Sequence, residues 1–132
     1  MKLDLDLIRE LLVKLEEKGS SHETKFVRAD DEDMAVEGFD LEQIEYHLAQ
    51  LWKSGLIETG GSGSGIGASG DFFFRDLTWS GHEFVNAVRG KDVWQKTKDR
   101  LKPLGGWTLG IAGDVAKAIF KEQVKSHMGL DF

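Results

Sequence analysis

Apolar residues return every three or four positions through most of the chain and every second position in a few short runs, which predicts a mostly helical α+β protein. From Met1 to Lys18 the positions Leu7, Ile8, Leu11, Leu12 and Leu15 form one stripe. Asp4 and Asp6 suit the positive N-terminal end of that helix, and Gly19 ends it. The charged residues on its back, such as Arg9, Glu10 and Lys14, read as a solvated face. The stretch Phe39 to Ile57 organises the rest: Asp40 can cap a helix with Gln43 closing a capping box, Leu41, Ile44, Leu48, Leu51 and Trp52 recur at helical spacing, and Gly55 supplies a left-handed exit before Leu56-Ile57.

Shorter patterns surround this helix. Lys25-Phe26-Val27-Arg28 and Met34-Ala35-Val36 are strand-like pieces on either side of the acidic run Asp30-Asp31-Glu32-Asp33, a weak hairpin or a loop. Leu56 to Thr59 and Phe72 to Leu77 read as strands joined by the glycine-rich segment Gly60 to Gly70, as the wing of a winged helix would be. Either Thr78 or Ser80 then caps a helix with Phe84, Val85 and Val88 on its apolar side, Ser80 pairing with Glu83 in a capping box. Gly90 closes it. Lys91 to Lys102 continues as a basic helical segment anchored by Val93, Trp94 and Leu101.

Pro103-Leu104-Gly105-Gly106 breaks the pattern, and Trp107 to Met128 reads as a further helix with two apolar rows, Ile111, Val115, Ile119 and Ala112, Ala116, Phe120, Val124, Met128. The resulting expectation is a winged helix-turn-helix domain over residues 1–102, with 60–70 as its wing loop. A linker and C-terminal amphipathic helix over 103–132 would pack on that domain or on a partner.

Composition narrows the chemistry. With 132 residues and 40% hydrophobic content the chain can bury a core, and the absence of cysteine excludes disulfides, thiolate metal sites and thiol nucleophiles. Neither a secretory leader nor a run of roughly 18 apolar residues is evident, so a soluble, cytoplasmic protein is expected. The net charge of −6 is unevenly placed: residues 1–70 hold 7 Lys/Arg against 15 Asp/Glu, and residues 71–132 hold 10 against 8. A polyanion would have to meet the second half.

No constellation of catalytic groups assembles from these residues. The run Asp30 to Asp33 lacks the alternating ligands, turn glycine and terminal Glu of a calcium loop, and reads as a solvated turn. Residues 65–70, GIGASG, match the spacing G-x-G-x-x-G, but a dinucleotide fingerprint must open a helix and a strand pattern follows here. His22, His47, His82 and His127 form no zinc-type pair, Ser80-Gly81-His82 is no triad signature, and His47, between Ile44 and Leu51, suits a structural hydrogen bond. The expectation is a non-enzymatic protein with no catalytic residue, no cofactor and no metal.

Four segments together resemble a known family: LDLIRELLVKLEE, IEYHLAQLWKSGLIE, LTWSGHEFVNAVR and VWQKTKDRLKPLGGWTL are similar to the bacterial and phage "domain of unknown function 2513". The pattern H-L-x-x-L-x-x-x-G-L-I followed by a wing and L-T-x-x-G is shared more loosely with winged-helix regulators. The resemblance implies a winged helix and a phage or mobile-element setting, and implies no activity. The insert 60–70 looks longer than is expected of the family.

A winged helix raises DNA binding, and the residues weigh against it. Asp40, Glu42 and Glu45 stand where groove contacts usually lie, and residues 60–70 hold no Lys or Arg. A DNA-binding regulator would have to use helix 40–54, with Gln50 and Lys53, and the basic segment 89–102, with Arg89, Lys91, Lys96, Lys98, Arg100 and Lys102, together with Arg75. The favoured reading is a protein-interaction module that engages a foreign partner or a second copy as a homodimer. Its expected contacts are Ile111, Val115, Ile119, Phe120 and Val124, and the aromatics Phe72, Phe73, Phe74 and Trp79 lend further support.

Overall fold

The computed structural model describes residues 1–19, 23–60, 65–67 and 70–129, so His22 and residues 61–64 and 68–69 of the glycine-rich segment lie outside the described residues. Among the described residues there are five α-helices and one three-stranded antiparallel sheet. The order is α1 (Leu5–Lys18), β1 (Lys25–Arg28), α2 (Leu41–Lys53), β2 (Ile57–Thr59), β3 (Asp71–Leu77), α3 (Trp79–Val88), α4 (Lys91–Leu101) and α5 (Leu109–Met128). They gather into two compact units, Met1–His82 and Glu83–Phe132.

In the first unit α1 begins where Asp4 accepts the Leu7 N–H at 3.0 Å, and all five stripe residues from Leu7 to Leu15 are buried. The capping box on α2 is formed in both directions: Asp40 accepts the Gln43 N–H, and the Gln43 side chain accepts the Asp40 N–H, each at 2.9 Å. Ile44, His47, Leu48 and Leu51 make the buried face, and Gly55 leaves the helix at φ +79°. Leu41 and Trp52, expected in the apolar stripe, lie at its margin and are exposed. At about 100° per residue these two fall together on one edge of the buried face, and His47, which finds partners for both ring nitrogens, is buried at the opposite edge.

The sheet order is β1-β3-β2, with Phe26 opposite Phe73 and Ile57 opposite Leu77, and a register shift between Glu58 and Thr59. Alternation along β3 buries Phe72 and Phe74, whose rings meet edge to face at 6.1 Å, and turns Phe73 outward onto Phe26 at 5.1 Å. The three phenylalanines and Trp79 therefore form no single cluster, and Trp79 is 80% exposed.

The segment Met34-Ala35-Val36 is not a strand. Residues 32–34 form one turn of 3-10 helix that buries Met34, because the Met34 and Ala35 N–H groups bond back to the carbonyls of Asp31 and Glu32. The acidic run is the expected turn: Asp31 accepts the Arg28 N–H at 2.9 Å, Asp30 pairs with the Arg28 guanidinium at 3.0 Å, and Asp33 pairs with Lys18. Gly70 leads directly into β3, so the G-x-G-x-x-G spelling opens a strand.

In the second unit α4 buries Val93, Trp94, Thr97 and Leu101 and packs on α5. A left-handed Gly105 follows one 3-10 turn over 102–104. The tail helix starts two residues later than its apolar pattern, at Leu109, because the Thr108 hydroxyl accepts the Ile111 N–H at 3.1 Å and so fixes the helix start there.

Candidate protein-contact surfaces

The histidines come first, since they carry the only imidazole chemistry in the chain. His47 is 1% exposed, and its Nε2 accepts the Asp4 N–H at 2.8 Å while Nδ1–H donates to the Gln43 carbonyl at 2.7 Å. That arrangement is a neutral imidazole tying the start of α1 to α2, a structural use. His82 Nε2 stands 3.2 Å from Asp76, but the Ser80 hydroxyl makes no hydrogen bond among the described residues, so serine, histidine and carboxylate are not chained together. Thr78, not Ser80, caps α3, accepting the Gly81 N–H at 3.1 Å. Glu83 lies 3.9 Å from Lys117 instead of closing a box with Ser80.

The basic stretch does not make one positive stripe. At about 100° per residue on a helix, Lys91, Lys98 and Lys102 fall on one flank of α4 and Lys96 and Arg100 on the other, with Asp92 and Asp99 between them. Lys96 pairs with Asp92 at 3.4 Å, Lys98 lies over the Trp94 ring at 5.6 Å, and Arg89 donates to Asn86 at 3.0 Å. Asp92 also accepts from Gln123 of α5. That hydrogen bond, with help from Lys96, holds the Asp92 carboxyl below the usual carboxylate value. Arg75 and Lys53 are exposed and Gln50 is half-buried in the first unit.

On α5 the covered row is Leu109, Ala112, Gly113, Ala116 and Ile119. Ile119 is only 5% exposed and faces inward. The remaining predicted contacts divide by the same angular spacing: Ile111, 46% exposed, and half-buried Val115 lie on one margin of the covered row, and half-buried Phe120 and Val124 on the other. Phe120 and Val124 do come together, lining a groove of about 390 Å3 with Ala87 and with Lys117 and Lys121 at its rim. Sequence periodicity found the apolar residues, but which row would be covered depends on α4, which periodicity cannot show.

A further surface lies on the outer face of α2, within the stretch Phe39 to Ile57 that the sequence reads as scaffold first and possible protein-contact surface second. Glu42, Glu45, Tyr46, Ala49, Trp52 and Lys53 line a groove of about 530 Å3 with Met1 and with Ile66 from the β2–β3 connection. The available signal was the spacing of 42, 45, 49 and 52 on one helical face. Among the described residues no helix is long and apolar enough to cross a membrane, and no group of three or more His, Asp or Glu side chains is arranged to hold a metal ion.

These features define a mostly helical α+β protein with a capped central helix, a small antiparallel sheet and a long C-terminal helix. The chain belongs to the family described as "Hypothetical protein (DUF2513)", whose profile matches residues 2–107. It is also 37% identical over 102 residues to a Haemophilus influenzae protein named "Uncharacterized protein", a match covering 77% of this chain and 80% of the relative. No solved structure matches. The family match ends just before α5.

Proposed function

We infer that the chain is a non-enzymatic winged-helix binding protein of phage or mobile-element type that engages a protein, foreign or a second copy, rather than DNA. The winged-helix assignment is supported by the order α1, β1, α2, β2, β3 and by the sheet order β1-β3-β2, in which α2 is followed by the antiparallel pair β2 and β3. The protein-binding assignment is carried by α5: after its central row is covered, Phe120 and Val124 still line an apolar groove with Lys117 and Lys121 at the rim.

Photocrosslinking from a benzoylphenylalanine at position 120 of the full chain tests this. The expected product is a covalent adduct with a protein chain, its own or a foreign one, that disappears in Val124→Asp. Absence of any protein adduct, together with steeply salt-dependent binding of duplex DNA, would reverse the assignment. The DNA-binding regulator, using helix 40–54 and segment 89–102, keeps one observation in its favour, the exposed Lys91, Arg100 and Lys102 of the second unit. The two Asp residues between the flanks of α4 and the carboxylates on α2 weigh against it.

A further inference from the structure

β1 is an edge strand, bonded to β3 on one side only. In an antiparallel ladder, alternate residues turn both backbone groups toward the neighbouring strand, and the residues between them turn both away. The Ala29 N–H donates to the Gly70 carbonyl at 3.1 Å, in register with Val27 opposite Phe72 and Lys25 opposite Phe74. Phe26 and Arg28 therefore present their N–H and C=O groups to the outside. An edge of this kind is a template for a further strand unless something closes it.

The turn after β1 closes half of it. Asp31 Oδ2 accepts the Arg28 N–H at 2.9 Å, and the Asp31 N–H donates to the Arg28 carbonyl at 3.1 Å, so one residue takes up both outward groups. Asp30 holds the Arg28 guanidinium at 3.0 Å. Phe26 has no such cover. Its outward backbone groups have no partner among the described residues, and its ring is 50% exposed beside Phe73.

The strand is also complementary to itself. A two-fold antiparallel pairing centred on Phe26 sets Phe26 opposite Phe26 of a second copy, Lys25 opposite Val27 and Thr24 opposite Arg28. No like charges face each other in that register, and the Phe26–Phe73 ring pair of one copy continues into that of the other. A register one residue away would set Lys25 against Arg28. In the favoured register the central pair uses Phe26, and the pair on either side of it needs the N–H and C=O of Arg28.

We propose that β1 is a strand-pairing surface for a second copy of this chain, and that the turn 29–31 holds it shut by occupying the outward groups of Arg28 with Asp31. The surface uses no residue of α5, so either assignment can fail while the other stands.

Amide hydrogen exchange read by NMR, with light scattering of the full chain, tests it. In wild type the Arg28 N–H should be protected and the Phe26 N–H should exchange about tenfold or more faster. Asp30→Ala with Asp31→Ala removes both side-chain acceptors and should expose the Arg28 N–H in dilute solution. On concentration its mass should rise above that of wild type, and the Phe26 and Arg28 amides should become protected together. Asp30→Asn with Asp31→Asn makes the same change in charge but keeps an acceptor oxygen at each position, and should behave as wild type. An Arg28 amide that exchanges as fast as Phe26 in wild type would overturn the proposal, as would a Phe26 amide that stays unprotected in the concentrated alanine variant. Equal association of the asparagine variant would assign the effect to charge and overturn it too. Association through α5 leaves the Phe26 amide unprotected, which keeps the two surfaces apart.

Discussion

Gly81 sits in the first turn of α3, where an alanine would ordinarily stabilise the helix by roughly 1 kcal/mol. The local geometry reverses the sign. A Cβ on Gly81 would stand 2.1 Å from the Leu56 carbonyl oxygen, a backbone atom that cannot swing away as a side chain would. To open that gap to an ordinary contact, the start of α3 must move by more than about 1 Å. Two hydrogen bonds span the same place: the Thr78 N–H donates to the Leu56 carbonyl at 3.0 Å, and the Thr78 hydroxyl donates to the Gly55 carbonyl at 2.5 Å. Weakening both costs about 1 kcal/mol each, and overpacking adds about 1–3 kcal/mol. Set against the helix gain, Gly81→Ala should destabilise by about 2–4 kcal/mol. Gly110→Ala provides the internal control, because Gly110 lies in the first turn of α5 with nothing nearer its Cβ position than Thr108 Oγ1 at 3.9 Å. It should stabilise by about 0.5–1 kcal/mol. Urea denaturation of both variants reads the difference through the midpoint at constant slope. A neutral or stabilising Gly81→Ala would refute the close approach of α3 to the Leu56 carbonyl.

Three further outcomes follow from particular contacts. His47→Leu keeps the volume but leaves the Asp4 N–H without its acceptor, so it should cost about 1–3 kcal/mol, whereas His47→Gln retains an acceptor and should cost less; equal costs in urea titration would contradict the bond. Gly65→Ala must leave φ +105° or push into Trp52, and should lose about 1–2 kcal/mol with a shift in tryptophan emission; an unchanged spectrum would mean that the connection does not rest on that ring. Asp92 has a carboxyl held below its ordinary value by Gln123 and Lys96, so its stabilising effect is complete above the unfolded value and disappears as pH falls through the folded one. Wild type should therefore melt above Asp92→Asn at neutral pH and converge with it once the pH has fallen through the folded value, and a gap that persists in acid would show that the carboxylate is not its source.

What the sequence makes legible follows the range of the interactions. The caps of α1 and α2 are set by residues three apart, Asp4 with Leu7 and Asp40 with Gln43, and both are readable from the chain. So is the burial of the α1 stripe, since one helical period defines it. The pairing of β1 with β3 joins Phe26 to Phe73 across a stretch that contains α2 and β2, and no local pattern carries it. Met34 shows the same limit: its apolar side chain is buried as a strand residue's would be, yet backbone bonds to Asp31 curl it into a helical turn. On α5 the apolar rows were visible, but whether Ile119 or Ile111 would be covered was decided by tertiary packing. The α2 groove was hidden for a similar reason, because Ile66 reaches it from a segment distant in sequence from Glu42.

The residues that carry the family resemblance serve the scaffold. In H-L-x-x-L-x-x-x-G-L-I, His47 ties α1 to α2, Leu48, Leu51, Leu56 and Ile57 are buried, and Gly55 takes the left-handed exit. In L-T-x-x-G, Leu77 is buried, Thr78 caps α3 and Gly81 permits the approach to Leu56. Every one of these positions is accounted for by folding alone, which explains why the resemblance indicates an architecture and no chemistry. If the chain binds a protein, as proposed, partner choice would reside on positions outside those motifs, such as Phe120 and Val124 on α5. Substitutions there should alter binding while leaving the fold intact, whereas substitutions at Gly81 or His47 should alter both together.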